Sequence, residues 1–240
     1  MRAKLSFAVI LPAAGRSTRF GGQDKLATRL QGRSVLQRSV MAFLNRDDVA
    51  HVIIATNDFA ATHATLTAAP SSEAILAHPK LNVCSGGEHR ALSVQSALKQ
   101  VPAEIEWIAV HDAARPLVSS ELIDRTFAAA VKHGAAVPAL PVHLTVKQAT
   151  GPLPAKVVRT LPRHELWAMQ TPQAMRRADL LDGFASCPIP LEQVTDDVQL
   201  LELSGKDVWL VEGEEKNLKI TTAADIRLAE LFLSNDANSV

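Results

Sequence analysis

The chain has little cysteine and no long apolar run. It contains two cysteines, Cys84 and Cys187, and no CxxC pair, which argues against a disulfide framework and favours a reducing compartment, so we expect a cytoplasmic protein. No apolar run approaches the ~18 residues that a membrane span requires. Residues 1–15, MRAKLSFAVILPAAG, resemble a signal peptide, but glycine and arginine follow at once. We therefore interpret this stretch as a first buried strand.

An excess of one charge is also absent. Lys+Arg and Asp+Glu both number 25, so the formal net charge is zero, and no global field attracts nucleic acid or an anionic membrane. Aromatic residues make up only 4% and are not interleaved with basic ones, which argues against a platform for single-stranded nucleic acid. No GxSxG indicates a serine hydrolase, and the eight histidines form no HExxH or HxH zinc motif.

Alternating apolar and helical segments indicate an α/β fold. The length of 240 residues and the 47% hydrophobic content suit one domain with a sizeable core. Apolar runs predict strands over 8–12, 51–57, 81–87, 107–112, 135–142 and 207–213. Helical spacing predicts helices over 34–46, 89–101, 119–134 and 220–233. This order predicts a Rossmann-like, mostly parallel sheet with helices on both faces.

Candidate capping and stop residues predict where two of the helices begin or end. Ser119 or Ser120 is a candidate N-cap for the third predicted helix, and Gly134 is a candidate stop signal. For the last helix, Thr221 or Thr222 is the candidate cap.

Residues 143–170 break this alternation. The segments TVK and KVVRT flank a Gly/Pro-containing turn, a pattern that predicts a β-hairpin arm at about 143–170. An isolated hairpin with an exposed edge usually needs a covering partner. We therefore predict a homodimer formed through this arm.

Three polar loops directly follow predicted strands. They are AAGRSTRFGG (13–22), SGGEHR (85–90) and HDAARP (111–116), and in a parallel sheet such loops meet in one crevice. The first is neither a Walker A loop nor GxGxxG. Its amides, with Arg16, Arg19 and Lys25, could still hold a phosphate; the alternative is a tight turn with surface arginines.

Two further groups could act in the same crevice. Asp112 ends a strand three residues before Arg115, so the carboxylate could bind a divalent ion while the arginine meets a phosphate. A structural ion pair is the alternative. Lys219, in NLKIT, precedes the last helix and could point into the crevice or lie on the surface as a solvated charge.

The motifs taken together resemble the 2-C-methyl-D-erythritol 4-phosphate cytidylyltransferases of non-mevalonate isoprenoid synthesis. PAAGRSTRF, SGGEHRALSV, HDAARP, LTVK, LWAMQTPQ, TDD and NLKIT occur in the family's order over nearly the whole chain. PAAG is shared by many nucleotidyltransferases, whereas HDAARP, TPQ and NLKIT together are specific. The resemblance implies a single nucleotidyltransferase domain over 1–240 that transfers CMP from CTP to 2-C-methyl-D-erythritol 4-phosphate.

The resemblance also implies site residues. Arg19 and Lys25 would contact the triphosphate and Lys219 the acceptor phosphate, and all three would be catalytic. Asp112 would bind Mg²⁺ and help to place the acceptor. The arm would cross to the neighbouring subunit, where its residues would complete the acceptor site, with Arg115. The implied nucleotide-binding residues are Pro12, Ala13, Ala14, Gly15, Gly87, Glu88 and Ser93, and the arm residues are Thr145 and Arg163.

The sequence departs from the family pattern at two points. Asp24-Lys25-Leu26 stands where Pro-Lys-Gln is usual, and Leu144-Thr145 stands where Asp-Thr is usual. The alternatives are another sugar-phosphate or cofactor nucleotidyltransferase, of the ribitol-phosphate or molybdenum-cofactor type, and a non-catalytic nucleotide-binding protein.

Overall fold

The computed structural model describes residues 5–15, 24–68 and 73–237. The strands are β1 (Phe7–Pro12), β2 (Arg29–Leu30), β3 (Arg33–Ser34), β4 (Val49–Thr56), β5 (Leu81–Ser85), β6 (Trp107–Val110), β7 (Ala135–Pro141), β8 (Lys147–Thr150), β9 (Lys156–Thr160), β10 (Trp167–Met169), β11 (Gln173–Arg176) and β12 (Trp209–Glu212). The helices are α1 (Val35–Leu44), α2 (Phe59–Thr67), α3 (Glu73–Leu76), α4 (Arg90–Leu98), α5 (Ser120–His133), α6 (Arg177–Ser186), α7 (Val198–Leu203) and α8 (Ala223–Ala237).

Eight strands form one central sheet. Their order is β10–β7–β11–β6–β1–β4–β5, and β12 pairs with β7. β1 runs parallel to β4 and β6, β5 runs parallel to β4, and β12 runs parallel to β7. β10 is antiparallel to β7, and β11 is antiparallel to both β6 and β7. The predicted α/β fold with a mostly parallel sheet is confirmed.

Helices cover both faces of the sheet, so the central strand is buried on both sides. Phe7, Val9 and Leu11 of β1 pack in one core with α1, α5 and α8, whereas Ala8 and Ile10 pack in the other with α4, α6 and α7. This alternation follows from the two-residue period of a strand. Within the described ranges, no helix is long and apolar enough to cross a membrane.

The predicted helix caps are present. The Ser119 hydroxyl accepts the N–H of Leu122 at 3.0 Å, and Gly134 ends α5 with φ at 100°, a conformation that favours glycine. The Thr222 hydroxyl accepts the N–H of Asp225 at 3.4 Å, while the Asp225 carboxylate accepts the N–H of Thr222 at 2.7 Å. The helix predicted over 220–233 therefore begins later, at Ala223.

The strands before the SGGEHR and HDAARP loops end earlier than expected. The strands predicted over 81–87 and 107–112 end at Ser85 and Val110. The chain leaves the sheet at these points, so the SGGEHR and HDAARP segments are largely loops. Both loops follow the carboxyl ends of parallel strands, where α/β proteins bind ligands.

No element is predicted from the sequence between 171 and 206, and the structure has four there. The most important is β11, which enters the sheet antiparallel between β6 and β7. Helices α6 and α7 and a short 3-10 helix at Leu191–Gln193 follow it. β11 carries no long apolar run, because four residues suffice to fill the gap between two longer strands.

The predicted hairpin is present as β8 and β9, which pair with each other in a separate two-stranded sheet. Every residue of both strands is exposed. The last part of the predicted arm differs, because Trp167–Met169 forms β10 and returns to the main sheet beside β7. The use of the hairpin in dimerisation stays a prediction.

Candidate active site

A cleft of about 150 Å³ opens where β1, β5 and β6 end. The loops after these three strands form its walls, as expected for the carboxyl edge of a parallel sheet. Its lining includes Lys25, Asp112 and Lys219, which come from distant parts of the sequence. The cleft also brings together all seven predicted nucleotide-binding residues, Pro12, Ala13, Ala14, Gly15, Gly87, Glu88 and Ser93.

Lys25 reaches the cleft from a turn that follows the β1 loop. The Asp24 carboxylate accepts the N–H of Leu26 at 2.9 Å, a local bond that favours a turn at this point. Leu26 is buried and packs in the core, so the turn is anchored to the domain. The predicted phosphate contacts Arg16 and Arg19 lie outside the described residues.

Two glycines let the loop after β5 pack closely, Gly86 against the β1 loop and Gly87 against α4. A Cβ at Gly86 would lie 2.5 Å from the Cβ of Ala14, and a Cβ at Gly87 would lie 2.3 Å from the Cβ of Leu92. Neither contact leaves room for a side chain. The SGGE segment therefore needs glycine for close backbone packing, and this packing shapes the wall of the cleft.

Ser93 shapes the same loop from inside. It is buried on α4, and its hydroxyl accepts the N–H of Gly87 at 3.0 Å and donates to the carbonyl of His89 at 3.1 Å. Asn57 holds the loop from the other side by donating to the Gly87 carbonyl at 3.2 Å. These bonds fix the backbone of Gly87, which lines the cleft.

Asp112 lies at the centre of a charged cluster. Its Oδ2 is 2.9 Å from Lys219 Nζ and 3.4 Å from Arg115 Nε, and its Oδ1 is 3.3 Å from Arg90 Nε. Burial alone would raise the pKa of Asp112, but Arg90, Lys219 and Arg115 together hold it well below its usual range. The carboxylate is therefore ionised at neutral pH, and three cations surround it.

A second carboxylate holds Arg90 in this cluster. Arg90 NH2 is 2.7 Å from Asp197 Oδ2, and Asp197 is almost fully buried. Burial acts to lower the pKa of Arg90, but Asp197 and Asp112 raise it above its ordinary value. With Asp112 and Asp197 counted against Arg90, Arg115 and Lys219, the cluster keeps a net positive charge, which suits an anionic ligand.

His111 and Thr171 fix the backbone around Asp112. The Thr171 hydroxyl accepts the N–H of Asp112 at 3.0 Å and lies 3.1 Å from His111 Nδ1, while His111 Nε2 lies 3.0 Å from the carbonyl of Arg115. A carbonyl can only accept, so Nε2 carries the proton and Nδ1 accepts from Thr171. Burial lowers the pKa of His111 to about 4, so the ring is neutral at pH 7.

A second cavity, of about 270 Å³, adjoins the cleft. Arg90, Asp112 and Lys219 line both spaces, so the charged cluster forms their common wall. Arg115 lines only the second cavity. The other residues that line the second cavity include Gln170, Thr171, Gln173, Thr195 and Asp196. The arrangement can hold two anionic ligands on opposite sides of one set of cations.

The chain resembles known cytidylyltransferases along nearly its whole length. A sequence profile of the 2-C-methyl-D-erythritol 4-phosphate cytidylyltransferases matches residues 7–235. The enzyme of that name from Symbiobacterium thermophilum is 39% identical over 230 residues, covering 95% of this chain and 93% of that protein. The Francisella tularensis crystal structure matches with a TM-score of 0.79 at 32% identity, covering 94% of this chain and 99% of the other. For the Thermus thermophilus structure the TM-score is 0.74 at 33% identity, with 95% and 98% covered.

The chain belongs to the 2-C-methyl-D-erythritol 4-phosphate cytidylyltransferase family. It is a nucleotidyltransferase that transfers CMP from CTP to 2-C-methyl-D-erythritol 4-phosphate, with release of pyrophosphate, in isoprenoid precursor biosynthesis. The resemblance inferred from the motifs is thereby confirmed.

The two predicted arm residues lie apart from the cluster. Thr145 and Arg163 are exposed. Neither is among the described residues that line the cleft or the second cavity. Arg163 instead donates to the carbonyl of His143 at 2.7 Å within the arm. Within the described part of one chain, these two arm residues therefore contribute nothing to the walls of the two cavities.

Arg90 is not among the predicted site residues, although it closes the SGGEHR motif. The available signal was a basic residue at the end of a loop that follows a strand. Its role depends on Asp197, a buried partner far along the chain. No local sequence pattern predicts the contact between Arg90 and Asp197.

The residues present fit a metal that is held mainly by a nucleotide. Among the described residues, no group of three or more His, Cys, Asp or Glu side chains could hold a metal ion by itself. The described residues that line the cleft include two carboxylates, those of Asp112 and Glu88, and Mg²⁺ commonly binds through one or two carboxylates together with substrate phosphates.

Proposed function

We propose that the cleft binds CTP and the second cavity binds 2-C-methyl-D-erythritol 4-phosphate, so that CMP transfer takes place at their common wall. The observation that carries this proposal is the position of Arg90, Asp112 and Lys219, which line both spaces. The acceptor phosphate and the α-phosphate of CTP must meet at one point, and two cations, Arg90 and Lys219, lie at the wall that the two spaces share.

The charges account for the chemistry. A phosphate oxygen of the acceptor attacks the α-phosphorus of CTP in line, and the bond to pyrophosphate breaks. Two anions must approach each other, and negative charge builds on the leaving oxygen, so fixed cations lower the barrier. The nucleophile is already ionised at pH 7, and the reaction therefore needs no general base and no covalent intermediate.

On the nucleotide side, Arg19 and Lys25 would bind the triphosphate and stabilise the charge of the leaving pyrophosphate. The backbone from Pro12 to Gly15 would wrap the phosphates. Gly87, Glu88 and Ser93 would face the cytosine and the ribose. The packing of the glycine loop supports this last role, because it presents backbone rather than side chains to the ligand.

On the acceptor side, Lys219 and Arg115 would bind the phosphate of methylerythritol phosphate. Asp112 would place these cations before the ligand arrives, because it contacts both of them. Thr145 and Arg163 would complete the acceptor site of a partner subunit, through an exchange of arms in a homodimer. Their exposure outside the chain's own cavities supports this role.

Mg²⁺ would accompany the nucleotide, with Asp112 as its protein carboxylate. The ion would supply charge neutralisation on the phosphates. We further propose a cytoplasmic location, which is supported by two cysteines that are both free thiols.

The test is pyrophosphate release with CTP and Mg²⁺, measured with methylerythritol phosphate, with ribitol phosphate and with no acceptor. We expect release that depends on methylerythritol phosphate. Release with ribitol phosphate alone would keep the mechanism and change the acceptor. Binding of CTP without release with any acceptor would contradict the proposal and favour a binding protein.

A further inference from the structure

Lys219 lies in a loop of irregular structure between β12 and α8. Its side chain is 39% exposed, yet its ammonium group lies 2.9 Å from Asp112. A lysine has a long, flexible stem, so its position depends on how firmly the loop backbone is held.

One buried side chain, that of Gln170, holds this loop. Gln170 is 5% exposed, and its Oε1 accepts the N–H of Glu214 at 3.1 Å, while its Nε2 donates to the carbonyl of Glu214 at 2.8 Å. A single amide thus binds both backbone groups of one residue. The backbone N–H of Gln170 donates to the carbonyl of Pro138 at 2.7 Å, which ties the amide to β7.

Asn217 continues the connection towards Lys219. It is fully buried, and its Nδ2 donates to Gln170 Oε1 at 3.3 Å and to the carbonyl of Thr171 at 2.9 Å. The carbonyl of Asn217 accepts from Arg115 NH1 at 2.7 Å. The same loop segment therefore binds Gln170 on one side and an arginine of the charged cluster on the other.

The loop is shaped for this contact. A Cβ at Gly213 would lie 2.7 Å from Gln170 Oε1 and 3.0 Å from the carbonyl carbon of Ala139. Glycine therefore lets the chain close onto the glutamine. Beyond Lys219, the N–H of Ile220 donates to the carbonyl of Ala114 at 2.8 Å, so Lys219 lies between two fixed points.

We propose that Gln170 is a positioning residue that holds Lys219 against Asp112, acting through Glu214 and Asn217. Gln170 also lines the second cavity, but both ends of its side-chain amide are bound to the loop, at Glu214 and Asn217, rather than directed to the acceptor in this scheme. The proposal rests on the role of Lys219 in the proposed function. It predicts that weakening the amide slows the transfer step more than it weakens CTP binding, because the predicted nucleotide-binding residues lie on other loops.

The test uses Gln170→Glu, which keeps the shape of the side chain. An ionised carboxylate can accept the two N–H groups but cannot donate to the Glu214 carbonyl, whereas a protonated carboxyl group can do both. Burial raises the pKa of a carboxyl group. We expect kcat relative to wild type to fall by about 10- to 100-fold near pH 8 and to recover towards pH 6, with KM for CTP little changed.

The matched control is Gln37→Glu. Gln37 is also buried. Its amide accepts a backbone N–H, that of Ser34 at 2.7 Å, and donates to a backbone carbonyl, that of Leu66 at 2.9 Å. It lies on α1, away from both cavities. We expect this variant to lose stability while its relative kcat stays independent of pH.

A second readout separates this proposal from the proposed function. Acetylation of Lys219 by acetic anhydride, followed by mass spectrometry without substrates, should be faster in Gln170→Glu than in wild type or Gln37→Glu at pH 8. An unchanged kcat, or a loss that is independent of pH and matched by Gln37→Glu, would overturn the positioning role. A wild-type protein that releases no pyrophosphate but shows the acetylation difference would overturn only the proposed function.

Discussion

At the residue scale, the charged cluster depends on a neutral histidine that never touches a ligand in this scheme. His111 is fully buried, and its two ring nitrogens serve two different partners, Thr171 and the Arg115 carbonyl. These two hydrogen bonds can form together only when the ring is neutral and carries one proton, on Nε2. A second proton would remove the acceptor at Nδ1 and place a charge in the core.

We therefore predict a loss of stability in mild acid. Burial lowers the pKa of His111 to about 4 in the folded protein, from an ordinary value of 6.5. The unfolded chain thus binds a proton that the folded chain excludes. The contribution is complete above about pH 6.5 and is lost as the pH falls to about 4, which amounts to about 3 kcal/mol. Urea unfolding of wild type and His111→Asn across this range measures it, and parallel curves would refute the prediction.

A second prediction concerns Lys25, which lines the nucleotide cleft. Lys25→Ala should lower kcat by about 100-fold or more, on the scale of removing one transition-state donor. Steady-state pyrophosphate release measures the effect. Lys132→Ala, an exposed lysine on α5, is the control that should leave turnover unchanged. Normal turnover in Lys25→Ala would remove Lys25 from the triphosphate site.

At the scale of elements, the loop between β5 and α4 shows how backbone packing forms a binding wall. Gly86 and Gly87 allow contacts that exclude a Cβ, and Ser93 fixes the result from α4. The wall consists of backbone that packs closely because these glycines have no side chain. We therefore expect any added atom at these positions to disturb the packing.

Gly87→Ala tests this wall. The added methyl group would collide with Leu92, and the loop would have to move away from α4. We expect KM for CTP to rise by about 10-fold or more, since displacements near 1 Å carry costs of this order. KM for methylerythritol phosphate should change much less, because the second cavity uses other loops. Equal effects on both substrates would argue against a local role.

The strands and helices differ in how well the sequence predicted them. Strands with apolar runs, such as β1 and β4, and helices with capping residues, such as Ser119, were predictable because their signals are local. β11 was not, because its place depends on a gap between two distant strands. Arg90 and Gln170 also stand in quoted motifs, SGGEHR and LWAMQTPQ. Their roles were not predictable, because they depend on Asp197 and Glu214, which are remote in sequence.

At the scale of the whole molecule, the hairpin of β8 and β9 stands apart from the core. Leu144, Leu153, Val157 and Val158 are large apolar side chains on this segment, and each is at least half exposed. Such a surface on an isolated hairpin favours a covering partner. A dimer would cover it and would bring Thr145 and Arg163 to the second subunit.

Val157→Lys tests the dimer. The residue is 52% exposed in one chain, so a lysine should cost little within the monomer but should weaken an interface. We expect a shift to monomer in light scattering after size exclusion, together with a loss of activity on dilution. Leu231→Lys, at a position 56% exposed on α8, is the control. A wild-type protein that is monomeric at assay concentration would contradict the exchange of arms.

The position of β11 has a consequence for the order in which the chain folds. In the described part of the chain, β6 and β7 are joined only through β11. On the ribosome, where synthesis adds about 5–20 residues per second, β1, β4, β5 and β6 can pair soon after they emerge. β7 emerges next, but it cannot join them until Gln173–Arg176 has left the exit tunnel. The nascent protein therefore presents its hairpin before the sheet that anchors it is closed.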